Sequence, residues 1–419
     1  MKPVKGSLVV IGDEVLYGHV QDAHVKTVGR LLLKKGFTIQ EVRILGDDPD
    51  LLAEALAELI RKTDFVVTTG GLGPTTDDVT CEALCRAFGL KRIPDEEYKK
   101  HFQRHLRQFG IPWKDAFEKM THLPEGAVKL ALDRPMAGFA IEVRGKPLYC
   151  LPGVPHEVEY LIGKEVLPEL EKIFTARRCV VRRVIRVQGM YEWEIAERLA
   201  DAEKTDPGFE SVRIGYLPRP EGETWVTITL QAEDFAKAEN EIKRVVGYVI
   251  DRIGAGFVSG TDDDSLEKVV GELLRKKGMK LAVAESCTGG LLAERIVSVP
   301  GASDYFDRGF VVYSNEAKEE LLGVPAETLK LYGAVSERTA VEMVKGALKR
   351  SRADIAVGIT GIAGPGGGSS TKPVGTVYIG YGTRGKIKAE RFLFHGDREL
   401  IQRRTAHEAL RLLWQELKE

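Results

Sequence analysis

The chain has 419 residues, 43% of them hydrophobic and 29% charged, with 61 Lys plus Arg against 62 Asp plus Glu for a formal net charge of -1. At roughly 150 residues per domain that length suggests about three domains, and the composition excludes both a disordered chain and a membrane protein. The balanced charge offers no bulk attraction to a polyanion, so nucleic acid is not an expected partner.

The first segment alternates strands and helices. Ser7 to Ile11 reads as a short buried strand, and Val25, Val28, Gly29 and Leu32 mark one face of a helix that stops near Gly36. Phe37 to Ile44 is a second strand, Leu51 to Ile60 a second helix, and Asp64 to Thr69 a β-branched run that ends at Gly70-Gly71. Such alternation predicts a parallel sheet covered on both faces, with ligands expected at the carboxyl ends of its strands. From about Arg177 to Gly254 the spacing changes to a small β-α-β-β-α unit: strand Val180 to Val187, helix Trp193 to Ala202, strands Ser211 to Leu217 and Trp225 to Gln231, and helix Phe235 to Ile253. Pro218 to Gly222 is its hairpin loop. Gly256 to Asp263, rich in Gly and Asp, reads as a linker. Asp264 with Glu267 resembles a capping box before the stripe Leu266, Val269, Val270, Leu273, Leu274, which ends at Gly278. A second α/β unit follows, with strands at Lys280 to Ala284, Phe310 to Tyr313, Ile355 to Thr360 and Thr376 to Tyr381. The expected division is 1–174, 175–255, a linker at 256–264, and 265–419.

Five scattered cysteines, Cys81, Cys85, Cys150, Cys179 and Cys287, do not suit a disulfide framework and fit a reducing cytoplasm. The apolar start Leu8 to Ile11 is broken by Asp13 and Glu14, too short for a signal-peptide core, and no run approaches the roughly 18 apolar residues of a spanning helix. A cytoplasmic protein without a membrane partner is therefore expected. Asn occurs only at Asn240 and Asn315, which fits selection against thermolabile residues and a thermostable chain.

Four loops carry candidate chemistry. Glu285-Ser286-Cys287-Thr288-Gly289-Gly290 joins a strand to a helix, where free N–H groups and the positive dipole end stabilise anions beside the Ser286 hydroxyl. From spacing alone Ser286 or Thr288 serves equally well as a helix cap. Cys287 is a competing nucleophile, but no Cys-His pairing accompanies it. Tyr313-Ser314-Asn315-Glu316-Ala317-Lys318 places a lysine near the second strand end. An unperturbed Lys is neutral only about one part in a thousand near pH 7.5, a cost of about 4 kcal/mol for use as a base, so most lysines in such a place are solvated helix residues. Thr360-Gly361-Ile362-Ala363-Gly364-Pro365-Gly366-Gly367-Gly368 is glycine-rich enough for close backbone approach to a ligand, yet lacks the Gly-Lys-Ser/Thr ending of a nucleotide P-loop. Arg398, Arg403 and Arg404 near the C-terminus are candidate phosphate forks.

In the first unit, Thr68-Thr69-Gly70-Gly71-Leu72-Gly73-Pro74-Thr75-Thr76-Asp77-Asp78-Val79-Thr80 again joins strand to helix. Its amides suit a phosphate, and Asp77 or Asp78, with Glu14 from the Gly12 loop, suits a hard cation such as Mg²⁺; N-capping explains the aspartates equally well. Cys81 and Cys85 share a helix face, but with no further Cys or His cluster no zinc site is expected.

Taken together these strings resemble the full-length CinA family of competence/damage-inducible proteins over essentially the whole chain. The Gly70 to Thr80 loop and Leu151-Pro152-Gly153-Val154-Pro155 look like the molybdopterin-binding fold, and AESCTGG, RGFVVYSNEAK, GAVSE and GITGIAGPGGG are similar to the family's nicotinamide-mononucleotide deamidase domain. The resemblance implies two α/β domains joined by a small α+β KH-like domain. It implies a deamidase without cofactor in which Ser286 attacks the carboxamide, Lys318 is its proton partner and Tyr313 assists. Thr288, Gly289, Gly290, Asn315, Thr360, Gly361 and Gly364 then line the substrate site, with Arg398 on the phosphate and the Gly289-Gly290 helix start facing the oxyanion. For the first domain it implies a metal-dependent ADP-ribose pyrophosphatase, with Gly70, Gly71, Gly73 and Thr75 on the substrate and a divalent cation on Asp78, Asp77 and Glu14. A homodimer is likewise implied. Where the family commonly has Asp-Thr-Asn this chain has Asp22-Ala23-His24, and no Gly-x-x-Gly loop marks the KH-like unit for RNA. Two other readings compete: a molybdopterin-type binding module without hydrolysis in the N-terminal half, and an accessory protein of DNA uptake or recombination.

Overall fold

A computed structural model describes residues 3–132, 134, 136–175, 179–201, 211–232 and 234–418. Arg177, Ala202 and Glu419, at which expected spans begin or end, lie outside the described residues. The chain divides into two compact units, residues 1–182 with 229–243, and residues 183–228 with 244–419.

The first unit is built on β1 (Lys5–Ile11), β2 (Thr38–Leu45) and β3 (Phe65–Thr69), with a short β4 (Arg92–Pro94) and β5 (His122–Pro124) pairing apart from them, then β6 (Val128–Lys129), β7 (Phe139–Val143) and β8 (Lys146–Leu151). The main sheet runs β2-β1-β3-β8-β7-β6. Its β2, β1, β3 and β8 are parallel, and β7 and β6 are antiparallel additions. Alternate residues of β1 feed two cores: Leu8 and Val10 pack with Val28 and Leu32, whereas Val9 and Ile11 pack with Leu52 and Leu56. Helices therefore cover both faces, as a parallel centre requires. The helix Pro49–Lys62 starts where the Asp48 carboxylate accepts the Asp50 and Leu51 amides and Pro49 fills the first turn. The antiparallel edge departs from the all-parallel expectation. Arg144 (φ 53) and Gly145 (φ 74) form a two-residue left-handed turn that folds β7 back onto β8.

The second unit takes most of a four-stranded sheet, β9 (Cys179–Gln188), β10 (Val212–Pro218), β11 (Glu223–Ala232) and β12 (Val258–Thr261), in the order β10-β11-β9-β12. With the helices Glu192–Leu199 and Phe235–Ile253 this is the expected β-α-β-β-α unit. The stretch 256–264, expected as a linker, is corrected: its centre is β12, antiparallel to β9. Asp262 secures it, since its carboxylate accepts the Val184 amide at 2.9 Å and its carbonyl accepts from Arg186 Nε at 3.0 Å. The following helix, Leu266–Lys277, is capped by Ser265 rather than Asp264. The rest is a five-stranded sheet of β13 (Leu281–Glu285), β14 (Phe306–Val311), β15 (Ile355–Gly361), β16 (Thr376–Thr383) and β17 (Lys386–Leu393), ordered β14-β13-β15-β16-β17, with β14, β13 and β15 parallel and the last two antiparallel. The chain is thus two α/β domains and a smaller α+β domain. Among the described residues no helix is long and apolar enough to cross a membrane.

The helix Arg398–Lys418 packs its buried face on this sheet and carries His407, 3% exposed, whose Nε2 lies 2.9 Å from Gln188 Oε1. Burial, reinforced by Arg295, Arg411 and Arg186 and opposed by Glu267, lowers the His407 pKa to about 3. Below its ordinary pKa the unfolded chain binds a proton here that the folded chain refuses. Stability contributed by neutral His407 is therefore complete above about pH 6.5 and is lost as pH falls toward 3, with a slope of at most about 1.4 kcal/mol per pH unit. We expect the urea midpoint to fall over that range and His407→Gln to remove part of the fall; equal slopes in both proteins would refute this assignment.

Candidate active site

In the second unit β13 ends at Glu285, and the chain turns through 286–290 into the helix Leu291–Val297. The Glu285 carboxylate accepts the amides of Gly290 at 3.2 Å, Leu292 at 3.0 Å and Ala293 at 2.8 Å, so this acid caps the helix and fixes the turn. The Ser286 amide donates to the Ile359 carbonyl at 3.0 Å and ties the turn to β15. Past the end of β14, Ser314 caps a short turn over Asn315–Ala317, and Lys318 follows. Lys318 is 1% exposed, with its Nζ 3.1 Å from Ser286 Oγ and 3.0, 3.2 and 3.3 Å from the carbonyl oxygens of Val312, Tyr313 and Ser314.

Those contacts define two protonation states. An ammonium has three protons for the carbonyls and can only donate to the serine; a neutral amine donates two and presents a lone pair to the Ser286 hydroxyl proton. Burial pushes the Lys318 pKa below its ordinary value, against the pull of Cys287 and Glu316. Cys287 has its thiol pushed up to about 12 by burial, which keeps it protonated and poorly nucleophilic.

The remaining expected residues fall into two groups. The Thr360 hydroxyl donates to the Ala334 carbonyl at 2.7 Å, joining the end of β15 to the 333–336 loop. Gly361 is required by space: a Cβ there would lie 2.7 Å from Val377 Cγ2 and 3.1 Å from Cys287 Sγ. Arg398 donates to the Gly364 carbonyl at 2.6 Å and to the Tyr313 hydroxyl at 3.1 Å, so the structure brings these three together, with Arg398 and Tyr313 exposed and Gly364 buried. Asn315 is exposed, and its side chain makes no hydrogen bond among the described residues. The Gly290 amide is held by Glu285 and the Gly289 amide by the Ser286 carbonyl. The helix start at Gly289-Gly290 therefore does not offer the open donors expected of it. Among the described residues the amides of Cys287 and Thr288 donate to no carbonyl, and the buried Thr288 hydroxyl has no partner. These are the open polar groups beside Ser286. Sequence reading missed Glu285 and also Gln402, whose Nε2 holds the Cys287 carbonyl at 2.7 Å. An acid placed at a strand end before a helix was the available signal for the first; nothing local marks the second.

In the first unit the loop after β3 is set by close backbone approach. Gly70 (φ 100) leaves no room for a Cβ, which would sit 2.2 Å from the Ile11 carbonyl oxygen, and Thr80 Oγ1 donates to the Gly70 carbonyl at 2.8 Å. Asp78 accepts the Thr75 amide at 2.8 Å and also the Thr75 hydroxyl, and a Cβ at Gly73 would meet it at 2.6 Å. Asp78 and Thr75 thus shape this loop, and Gly71 faces Thr80. Around Asp47, burial raises the carboxyl pKa, opposed by the Asp13 amide that donates to it at 3.0 Å and reinforced by the charges of Asp13, Glu14 and Asp77, so four acids share one negative field at the carboxyl ends of the strands. Among the described residues no three His, Cys, Asp or Glu side chains form a ready-made metal cage. The acids therefore fit a cation held by one or two carboxylates and by substrate phosphates, the usual manner of Mg²⁺. His24, which sequence reading did not select, is buried, with its pKa lowered by burial and its Nδ1 unpartnered; Thr68 and Thr69 also have buried hydroxyls without partners.

Three family models match in chain order: "Probable molybdopterin binding domain" over residues 7–172, "Damage-inducible protein CinA KH domain" over 182–258 and "CinA C-terminal domain" over 263–417. The chain is 43% identical over 414 residues to the CinA-like protein of Syntrophobacter fumaroxidans, covering 99% of this chain and 96% of that one. It is 37% identical over 417 residues to the CinA-like protein of Desulfotalea psychrophila, covering 97% of each. A crystal structure of the competence/damage inducible protein CihA from Agrobacterium tumefaciens is 43% identical and covers 36% of this chain and 96% of that one, with a TM-score of 0.34.

Proposed function

The chain belongs to the CinA family, and from that premise we propose that its C-terminal domain hydrolyses the carboxamide of nicotinamide mononucleotide to nicotinate mononucleotide and ammonia. The observation that carries this reading is the buried contact of Lys318 Nζ with Ser286 Oγ at 3.1 Å. Neutral Lys318 takes the Ser286 proton as Oγ bonds to the carboxamide carbon. The carbonyl π electrons move onto oxygen, where the Cys287 and Thr288 amides are the donors at hand. Collapse of this intermediate breaks the C–N bond, and the Lys318 ammonium returns its proton to the departing ammonia. Water, deprotonated by the same amine, then releases the acid and regenerates Ser286. Arg398, steadied by Tyr313 and Gly364, holds the phosphate of the nucleotide.

For the N-terminal domain we propose hydrolysis of ADP-ribose to AMP and ribose 5-phosphate. Asp77 and Asp47 would hold a divalent cation, with Asp78 and Glu14 beside them, and the cation would offset the charge of the pyrophosphate. The amides of Gly71, Leu72 and Gly73, which donate to no carbonyl among the described residues, position the phosphates. A second reading is favoured by one observation: Asp78 is already engaged by Thr75 and no metal cage is preformed among the described residues, which suits a pterin-binding module without hydrolysis. Product analysis of the full chain separates them. With Mg²⁺ we expect ammonia from nicotinamide mononucleotide and AMP from ADP-ribose; with excess chelator we expect ammonia release to continue and AMP formation to stop. Absence of AMP at any cation concentration would replace the hydrolase with the binding module, and chelator-sensitive ammonia release would count against the serine mechanism.

A further inference from the structure

Within the second unit, a cavity of about 320 Å³, open to solvent, lies between the hairpin side of the four-stranded sheet and the helices at 266–277, 291–297 and 398–418. Its wall charges are largely matched. Arg186 Nη1 is 3.1 Å from Glu223 Oε1, and Arg295 Nε is 2.5 Å from Glu267 Oε1, with all four side chains mostly buried. Both wall carboxylates are thereby satisfied.

The mouth is different. Arg219 has no carboxylate partner among the described residues; its guanidinium lies 4.7 Å from the Trp225 ring centroid. Among the described residues Arg403 pairs with Glu399 alone, and their side chains are 54% and 73% exposed. An exposed pair of that kind is worth little and is readily exchanged for a stronger acceptor. Among the described residues, Glu221 is the acid of the lining without a cation partner. Two guanidiniums in a partly sheltered mouth are suited to the oxygens of a dianionic phosphate, which Arg binds with paired N–H donors.

The cavity is also built before any ligand arrives. Arg404 Nε donates to the Pro220 carbonyl at 2.8 Å and its Nη1 to the His395 carbonyl at 2.7 Å, clasping the hairpin loop to the long helix. Gln188 links the His407 ring to Glu223, with its Nε2 donating to Glu223 Oε2 at 3.0 Å. The Trp225 indole has the guanidiniums of Arg186 and Arg219 at 4.8 and 4.7 Å from its ring centroid and is held by its own hydrogen bond to Glu223. On the 398–418 helix, Arg403 and His407 are four residues apart and share a face about 100° or more around from Gln402, which serves the Ser286 turn. The cavity is therefore separate from the deamidase site.

We propose that this cavity is a second ligand site, taking a small phosphate ester of mononucleotide size through Arg219 and Arg403, with Trp225 beside its organic part. Its volume lies within the range of small-molecule pockets. The test titrates AMP into the full chain without divalent cation, followed by calorimetry and tryptophan fluorescence. AMP should bind and change the fluorescence, the change should vanish in Trp225→Phe, and any AMP held at a catalytic site is the heat that remains in Arg219→Glu. Arg219→Ala should weaken AMP at least about tenfold, and Arg219→Glu more, with ammonia release from nicotinamide mononucleotide unchanged. Inorganic phosphate should bind more weakly than AMP. Absence of AMP binding up to about 1 mM, an isotherm unaltered by either Arg219 variant, or equal affinity for inorganic phosphate would each overturn the proposal. AMP bound at either proposed catalytic site would leave Trp225 silent and survive in the Arg219 variants, so failure of this proposal is distinguishable from failure of the deamidase or pyrophosphatase assignment.

Discussion

Ser286→Ala is expected to lower ammonia release from nicotinamide mononucleotide by on the order of 10⁴-fold or more, the scale seen when a nucleophile that acts with a partner is removed. The hydroxyl is the only group of Ser286 that faces Lys318, and the backbone is held independently by the Ile359 carbonyl, so alanine removes the reacting oxygen without releasing the turn. Substrate affinity measured by calorimetry should change little, because Arg398 and the loop at 360–364 are untouched. Production of AMP from ADP-ribose by the same variant should be unaltered. Cys287→Ala supplies the contrast. Its thiol is buried, protonated and packed toward Gly361, so most of the activity should remain. Full turnover in Ser286→Ala, or loss confined to Cys287→Ala, would move the nucleophile to the thiol.

The position of this chemistry is legible from sequence because each candidate loop begins where a strand ends. The break after β13 coincides with Ser286, the end of β14 precedes Tyr313, and β15 runs into Gly361. Such loops gather at the carboxyl ends of neighbouring parallel strands by topology. What sequence does not carry is the state of each side chain. Lys318 stands among Glu316, Glu319 and Glu320 and reads as solvated, yet the chain curls so that three successive carbonyls, at 312, 313 and 314, enclose its amine. Asp78 looks like a free carboxylate in a glycine loop, but a hydrogen bond three residues back engages it, as Asp often does in turns. The 256–264 stretch has the composition of a linker because Gly and Asp mark turns, whereas its strand depends on β9, which lies about 70 residues upstream and leaves no local trace. The antiparallel edge β7-β8 was closer to legible: Arg144-Gly145 between apolar runs is a hairpin signal.

Lys318 gives the second large effect. Lys318→Met should cost about 10² to 10⁴-fold in kcat, the usual contribution of a positioned general base, and Lys318→Arg should fare no better because guanidinium does not deprotonate in proteins. In the unaltered chain the base is the neutral amine, so kcat should rise about tenfold per pH unit and level off at a pH below the ordinary lysine value, since burial lowers this pKa. The stability effect has its own sign. Folding disfavours the Lys318 proton, so the penalty for burying the ammonium is fully present below the lowered pKa and disappears as pH rises past the unfolded value near 10.5. Lys318→Met should accordingly flatten the alkaline part of the stability profile while it abolishes the pH-rate limb. A purely structural lysine would change the first and leave the second in place, and an active Lys318→Arg enzyme with an unaltered pH profile would refute the role of base.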